Sequence, residues 1–373
     1  MQLASRGAVA AAPDEQRTLV VVFLRGGADG LALVPPVGED AYHRARPRLR
    51  VDGRSAPALD ARFSLHPRLA ALHPLWLHGD MAVVHAVGSA DSTRSHFEAQ
   101  DVMEHGGVMG GGWLGRFLRV KPATGSRALA AIAFGTQLPE VLRGAPAATV
   151  LRSLDDFTLG DGGPALAASL AGLYQVDGGV LGAAARDTVR SLERLDALRA
   201  APYRAAFGAD YGSDEFAQSL LQVAQLIKAG VGLEAVSIDV GGWDSHFTQG
   251  TLIEPLMLRL GEGLAAFCTD LGPSLATTSI VVMTEFGRRV AENASLGTDH
   301  GRGSVMFVLG GGVRGGQVAG EWPGLASDEL DGPGDLPVRT NYRDVLAAVL
   351  ARHGGQSLLG RVFPGHNVQA LRL

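Results

Sequence analysis

Five continuous apolar runs, rich in β-branched residues and lacking strict alternation, constrain this chain most: "TLVVVFL" (Thr18–Leu24), "MAVVHAV" (Met81–Val87), "LEAVSIDV" (Leu233–Val240), "SIVVMT" (Ser279–Thr284) and "SVMFVLG" (Ser304–Gly310). A strand with apolar side chains on both faces has to be covered on both, which is the pattern of central strands in a parallel sheet. The stretches between them are helical. "SDEFAQSLLQVAQLIKAG" opens on Ser213 as an N-cap, spaces Phe216, Leu220, Val223 and Ile227 along one helical face and stops at Gly230. "TLIEPLMLRLGEGLAAFCTDLG" reads as a second helix with Pro255 in its first turn, and "TNYRDVLAAVLARHGG" as a third, capped by Thr340 and Asn341. Strands alternating with helices give an α/β fold, a doubly wound, mostly parallel sheet with helices on both faces. No fixed-period repeat is visible, which argues against a solenoid or propeller.

With 373 residues, 46% of them hydrophobic, the chain can fill one large core. We expect a single α/β domain over 18–373, with an Ala/Leu-rich helical insertion near 151–230. Residues 1–17 read as a flexible N-terminus or the remnant of an export signal, since the run before Pro13 ends in small residues but follows only one basic residue, Arg6. The formal net charge of -5, without a block of Lys or Arg, gives no footprint for nucleic acid. No segment reaches the roughly 20 apolar residues of a membrane-spanning helix. Cys268 is the single cysteine, so a disulfide or a cysteine zinc site within the chain is excluded. The expected partner is a small-molecule or glycan-like anionic substrate. Oligomeric state has no signature in the sequence.

Open α/β sheets bind ligands beyond the carboxyl ends of their strands, so the residues after each apolar run matter most. The first run is followed by "RGGADG" with Arg25 and Asp29, the second by "GSADSTRSHFEAQD" with Ser92, Arg94, Ser95 and His96, and the third by "GGWDSH" with Asp244 and His246. "TEFGRR" puts Glu285 directly behind the fourth, and "TDHGRG" puts Asp299 and His300 before the fifth. Carboxylates mixed with imidazoles suit a divalent cation such as Zn²⁺, Mn²⁺, Mg²⁺ or Ca²⁺. A cation would also compensate a buried Glu285, whose charge is costly without a partner. Metal ligands are therefore expected among Asp29, Asp244, His246, Glu285, Asp299 and His300. Ser92 and Ser95 add hydroxyls, Ser95 at a helix start where it can serve as a cap, and His96 is an acid/base candidate or a further ligand. Arg94 or Arg25 would hold an anion through a guanidinium fork. Nucleotide-binding glycine motifs and the "GxSxG" elbow are absent from the right contexts.

In order and spacing, "VVVFLRGGADGLALVPP", "HAVGSADSTRSHFEAQD", "GGWDSH", "VVMTEFGRR", "GTDHGRGSVMFVLGGGVRGG" and "YRDVLAAVL" resemble the bacterial family known as domain of unknown function 1501. That family is grouped with the alkaline phosphatase and sulfatase superfamily. The resemblance implies a metal-dependent hydrolase of phosphate or sulfate esters with a serine nucleophile at a helix N-terminus, exported by the twin-arginine route to the periplasm or cell surface. Residue by residue it implies metal-binding roles for Asp29, Asp244, His246, Glu285 and His300, and the nucleophile at Ser95 or, second, at Ser92. Two departures stand out: the Asp244–His246 spacing is shortened, and Phe286 stands where the superfamily has a second-metal histidine. They argue against a full two-zinc site; Phe286 favours the alternative of a non-catalytic descendant that binds metal and an anion, while retention of Asp29, Ser95, Asp244, Glu285 and His300 favours the hydrolase.

Overall fold

The computed structural model describes residues 16–107, 109–122, 129–156, 169, 172, 179–199 and 202–373. The expected export-signal remnant therefore lies almost wholly outside the described residues, as do 157–168, 170–171, 173–178 and 200–201 of the insertion near 151–230. The strands are β1 (Thr18–Leu24), β2 (Met81–Gly88), β3 (Ala131–Phe134), β4 (Thr149–Leu151), β5 (Ala235–Val240), β6 (Thr278–Thr284), β7 (Ser304–Gly310), β8 (Val318–Ala319) and β9 (Thr340–Asn341). They form one sheet in the order β4-β3-β5-β1-β6-β7-β2-β8, with β9 beside β2. The pairs β3–β4, β3–β5, β5–β1, β1–β6, β2–β8 and β2–β9 are parallel, and β7 runs antiparallel to both β6 and β2. The mostly parallel sheet expected from the apolar runs is present.

Alternation along the strands divides the core in two. In β1, Val20, Val22 and Leu24 join one cluster while Leu19, Val21 and Phe23 join the other. Ile280 and Val282 of β6 follow the first, Val281 and Met283 the second. With the helices of eight residues or more numbered α1 (His96–His105), α2 (Trp113–Val120), α3 (Val180–Arg199), α4 (Glu215–Lys228), α5 (Gln249–Leu271) and α6 (Tyr342–Leu350), the first face is covered by α4 and α5 through Leu220, Val223, Met257 and Leu264. The second is covered by α1, α2 and α6 through Met103, Trp113, Phe117, Val345 and Val349. A sheet buried on both faces explains why its strands are continuously apolar.

Helix ends follow side-chain chemistry. Asp214, one residue after the expected cap Ser213, caps α4 by accepting from the Ala217 N–H, and Asn341 caps α6 by accepting from Arg343 N–H. The second helix begins at Gln249, earlier than its apolar pattern shows, so Pro255 lies inside it and not in its first turn. Trp113, which follows the glycines at 110–112, opens α2 and is fully buried.

Strands β1, β5 and β6 share a register in which Leu24 is opposite both Val240 and Thr284. Their carboxyl ends therefore lie level. Because β7 runs the other way, its first residue, Ser304, stands on that same edge, opposite Val87 near the end of β2. One edge of the sheet thus collects the segments that begin at Arg25, Ser89, Gly241 and Glu285, and the one that ends at Gly303.

Candidate metal centre

Glu285, the first residue beyond β6, has a fully buried carboxylate. Its Oε1 accepts from the Gly26 N–H at 2.9 Å, the Gln100 amide at 3.0 Å and His96 Nδ1 at 2.8 Å. The Thr284 hydroxyl lies 3.0 Å from Oε2 and 2.7 Å from the Leu24 carbonyl, with one proton for the two. Burial pushes the Glu285 carboxyl up, but the donors, His96 first, outweigh it and hold the group below the ordinary glutamate range. The same contact holds His96 above the ordinary histidine value. Neither neighbouring arginine pairs with Glu285. The buried Arg288 donates to the carbonyls of Gly26, Gly27 and Thr298 and, at 2.7 Å, to Asp244 Oδ1.

The imidazoles of His96, His246 and His300 turn their Nε2 atoms toward Asp244. His96 Nε2 is 3.5 Å from Oδ2, His246 Nε2 3.2 Å from Oδ1 and His300 Nε2 3.5 Å from Oδ1. His246 and His300 approach each other at 2.9 Å between their Nε2 atoms. The outer nitrogens face oxygen: His96 Nδ1 faces Glu285, His300 Nδ1 donates to the Arg94 carbonyl at 2.9 Å, and His246 Nδ1 lies 3.5 Å from Asp299 Oδ1. Desolvation pushes Asp244 up, but the hydrogen bond and charge of Arg288, together with His246 and His96, hold it below the ordinary aspartate range. Burial pushes His300 down.

Two tight crossings hold these loops. Gly287 passes the 300–303 segment so closely that a Cβ would stand 1.9 Å from the Gly303 carbonyl oxygen. Behind His246, Thr248 adopts φ 42° and Leu296 φ 59°, left-handed values that side chains rarely take. Thr248 N–H donates to the Ser295 carbonyl and Gln249 N–H to that of Leu296, which keeps both turns in place.

The sequence candidates divide accordingly. His96, Asp244 and His300 offer ligand atoms within 4.8 Å of one another, and His246 abuts two of them. Asp29 is elsewhere engaged: Arg46 grips both its oxygens at 2.6 and 3.0 Å, Gln249 donates at 2.7 Å, and Leu31 N–H completes the set. Glu285 and Asp299 stand behind the histidines. Asp299 takes a hydrogen bond from Asn293, which with the nearby His246 and Arg289 holds it below the ordinary range. Arg25 donates to Glu104, Gln100 and both oxygens of Asp239, and Arg94 donates to Asp335, so each guanidinium is already paired with a carboxylate. Ser95 is the N-cap of α1, its hydroxyl making no capping bond, while Ser92 is exposed in the preceding loop. Sequence reasoning missed Arg46, Gln100 and Gln249, which carry no motif signal, and did not separate Arg288 from Arg289.

A divalent cation fits this arrangement. His96 Nε2 is buried and has no hydrogen-bond partner, and it points at the Asp244 carboxylate. Imidazole and carboxylate together are a donor set for a divalent metal. The molecule is thus an α/β protein with a candidate metal centre at the carboxyl edge of its sheet. Residues 82–357 match the family described as "Protein of unknown function (DUF1501)", and the chain belongs to it. Among curated proteins, none matches.

Proposed function

We propose that this protein is an exported, metal-dependent hydrolase of phosphate or sulfate esters, built on an alkaline phosphatase/sulfatase-like fold, with Ser95 as nucleophile. The observation that carries the reading is the convergence of His96, Asp244 and His300 around the unpartnered His96 Nε2. A cation bound there would neutralise charge on the transferring group and on the leaving oxygen. The chain supplies the remainder. Ser95 sits at the N-terminus of the ten-residue helix α1, one residue before His96, with a hydroxyl not spent on capping. The first N–H groups of α1 and its dipole favour an oxyanion beside that hydroxyl. Glu285, through His96 Nδ1, fixes the imidazole next to it.

A second reading, a non-catalytic metal- and anion-binding protein, is favoured by one observation: both Arg25 and Arg94 are spent on carboxylates and so do not offer a free fork to a substrate anion. Turnover separates the two. The full chain, supplied with each metal in turn, is assayed against aryl phosphate and aryl sulfate mono- and diesters. Hydrolysis that Ser95→Ala abolishes while metal binding persists is the expected result. Metal binding with no turnover of any ester establishes the second reading instead.

A further inference from the structure

We infer that His96, Asp244, His246 and His300 form one site for a single first-row transition-metal ion of the zinc class, with Glu285, Asp299 and the Arg94 carbonyl holding the three imidazoles from outside. This deepens the metal-dependent reading above by assigning the ion and all of its ligands, and it stands whether or not an ester is cleaved. The argument begins with protons. A neutral imidazole carries one N–H, and each of these three turns its Nδ1 to an oxygen acceptor or toward a carboxylate. With the proton on Nδ1, each Nε2 presents a lone pair to the centre. On that assignment three lone pairs and a carboxylate face one another across 2.9 to 3.5 Å, and the one donor described above, Arg288, goes to Asp244 Oδ1 and leaves the three nitrogens unanswered. Such a cluster needs a cation between its members. Donor atoms bound at 2.0–2.1 Å to one ion stand about 2.9 Å apart at octahedral and about 3.4 Å apart at tetrahedral angles; the His246–His300 nitrogens at 2.9 Å and the three histidine–Asp244 contacts at 3.2 to 3.5 Å lie close to that range, and the ligand atoms of His96, Asp244 and His300 all fall within 4.8 Å of one another.

The donor types choose the ion. Ca²⁺ requires six to eight oxygens and Mg²⁺ an octahedron rich in oxygen and water, whereas imidazole suits zinc, iron, cobalt or nickel. Here three donors are nitrogen, and one carboxylate is turned inward. The remaining candidate carboxylates are committed: Asp29 to Arg46 and Gln249, Glu285 to Gly26, Gln100 and His96, and Asp299 to Asn293 and Arg289. The Arg288 guanidinium, 2.7 Å from Asp244, sets a fixed positive charge beside the first ion. One ion is therefore the capacity of the site.

The test uses the full chain stripped with chelator and titrated with Zn²⁺, Co²⁺, Mg²⁺ and Ca²⁺ in a calorimeter, with visible absorption recorded for Co²⁺. Expected are one equivalent of Zn²⁺ or of Co²⁺, ligand-field bands for bound Co²⁺, and no saturable uptake of Mg²⁺ or Ca²⁺. His96→Gln and His246→Gln should each weaken Zn²⁺ binding by about tenfold or more and alter the Co²⁺ bands. Circular dichroism of the stripped variants checks their fold, and if one does not fold, the stoichiometry and spectrum of the parent decide. Two equivalents of metal, Mg²⁺ or Ca²⁺ bound as well as Zn²⁺, or parental Zn²⁺ affinity in both folded variants overturns the assignment. Absence of any metal binding overturns both this and the hydrolase reading. One bound Zn²⁺ without ester turnover overturns the hydrolase reading alone.

Discussion

Glu285→Gln isolates charge from shape at the centre of this network. The three donors from Gly26, Gln100 and His96 converge on the same oxygen, Oε1, which the carbonyl oxygen of glutamine can replace. Its amide would then occupy the Oε2 position beside Thr284 Oγ, and that hydroxyl can accept there while donating to the Leu24 carbonyl 2.7 Å away. Every hydrogen bond survives and only the negative charge is lost. In chelator, stability should therefore change by no more than about 1 kcal/mol, because losing a compensated buried charge is close to neutral when its partners stay satisfied. Metal affinity should fall 10- to 100-fold, the usual effect of altering a group that orients a ligand histidine. That is about 1.4–2.7 kcal/mol of lost stabilisation under saturating metal. For a chain of this length, each kcal/mol moves the melting temperature by roughly 1–2 °C, so the variant should melt about 2–5 °C below the parent with Zn²⁺ and nearly with it in chelator. Thermal unfolding of both proteins under both conditions measures this. A drop of equal size with and without chelator would refute the orienting role and make Glu285 a structural group only. Glu285→Ala is the contrast: it strands buried donors and should cost about 3–5 kcal/mol whether metal is present or not.

Burial pushes His85 down to about 4 and His353 to about 3. Both stay neutral in the fold while the unfolded chain protonates them near 6.5, so stability should be full above that pH and decline as pH falls toward 4, by up to about 1.4 kcal/mol per unit for each histidine; urea midpoints that agree at pH 7.5 and pH 5 would refute this. Gly287→Ala should disable the centre, since its Cβ would stand 1.9 Å from a backbone oxygen with no flexible side chain to yield; loss of the Co²⁺ spectrum is the readout, and a parental spectrum counts against the crossing described above. The fully buried Asp270 of α5 accepts from Tyr203, Tyr211, the Ala206 N–H and Lys228. Asp270→Ala should cost about 3–5 kcal/mol and expose the 203–211 segment to limited proteolysis, and unchanged cleavage kinetics would show that this tie does not hold it.

The central sheet was legible because burial on both faces writes a continuous apolar run, and each run of six or more residues was found within two residues of its observed bounds. The edge strands were not. "AIAF" of β3 and "TVL" of β4 are too short to display any period, and β8 and β9 have two residues each. The start of α5 was hidden for another reason: its first turn begins where Thr248 has φ 42°, a conformation that no cap signature encodes. At the site, the residue types at the strand ends supplied the candidates, of which His96, Asp244 and His300 converge and Asp29 does not, because sequence does not say what each one faces.

Asp29 and Glu285 show what decides this. Both follow apolar strands, both carboxylates are fully buried, and sequence treats them alike. Asp29 meets Arg46, a charged partner brought in by the chain beyond β1, and the pair neutralises itself. Glu285 meets the Gly26 amide, Gln100 and Thr284, none of which carries charge, and one group that can: His96. Hydrogen bonds satisfy the lone pairs of Glu285, but its negative charge is relayed through the imidazole to Nε2, where it increases the basicity of a nitrogen that lacks a partner. A buried carboxylate answered by arginine closes its network; one answered by neutral donors and a histidine leaves it open at the far ring nitrogen. The open end lies on Asp244, which His246 and His300 also face, and it is there that a cation would complete the charge balance.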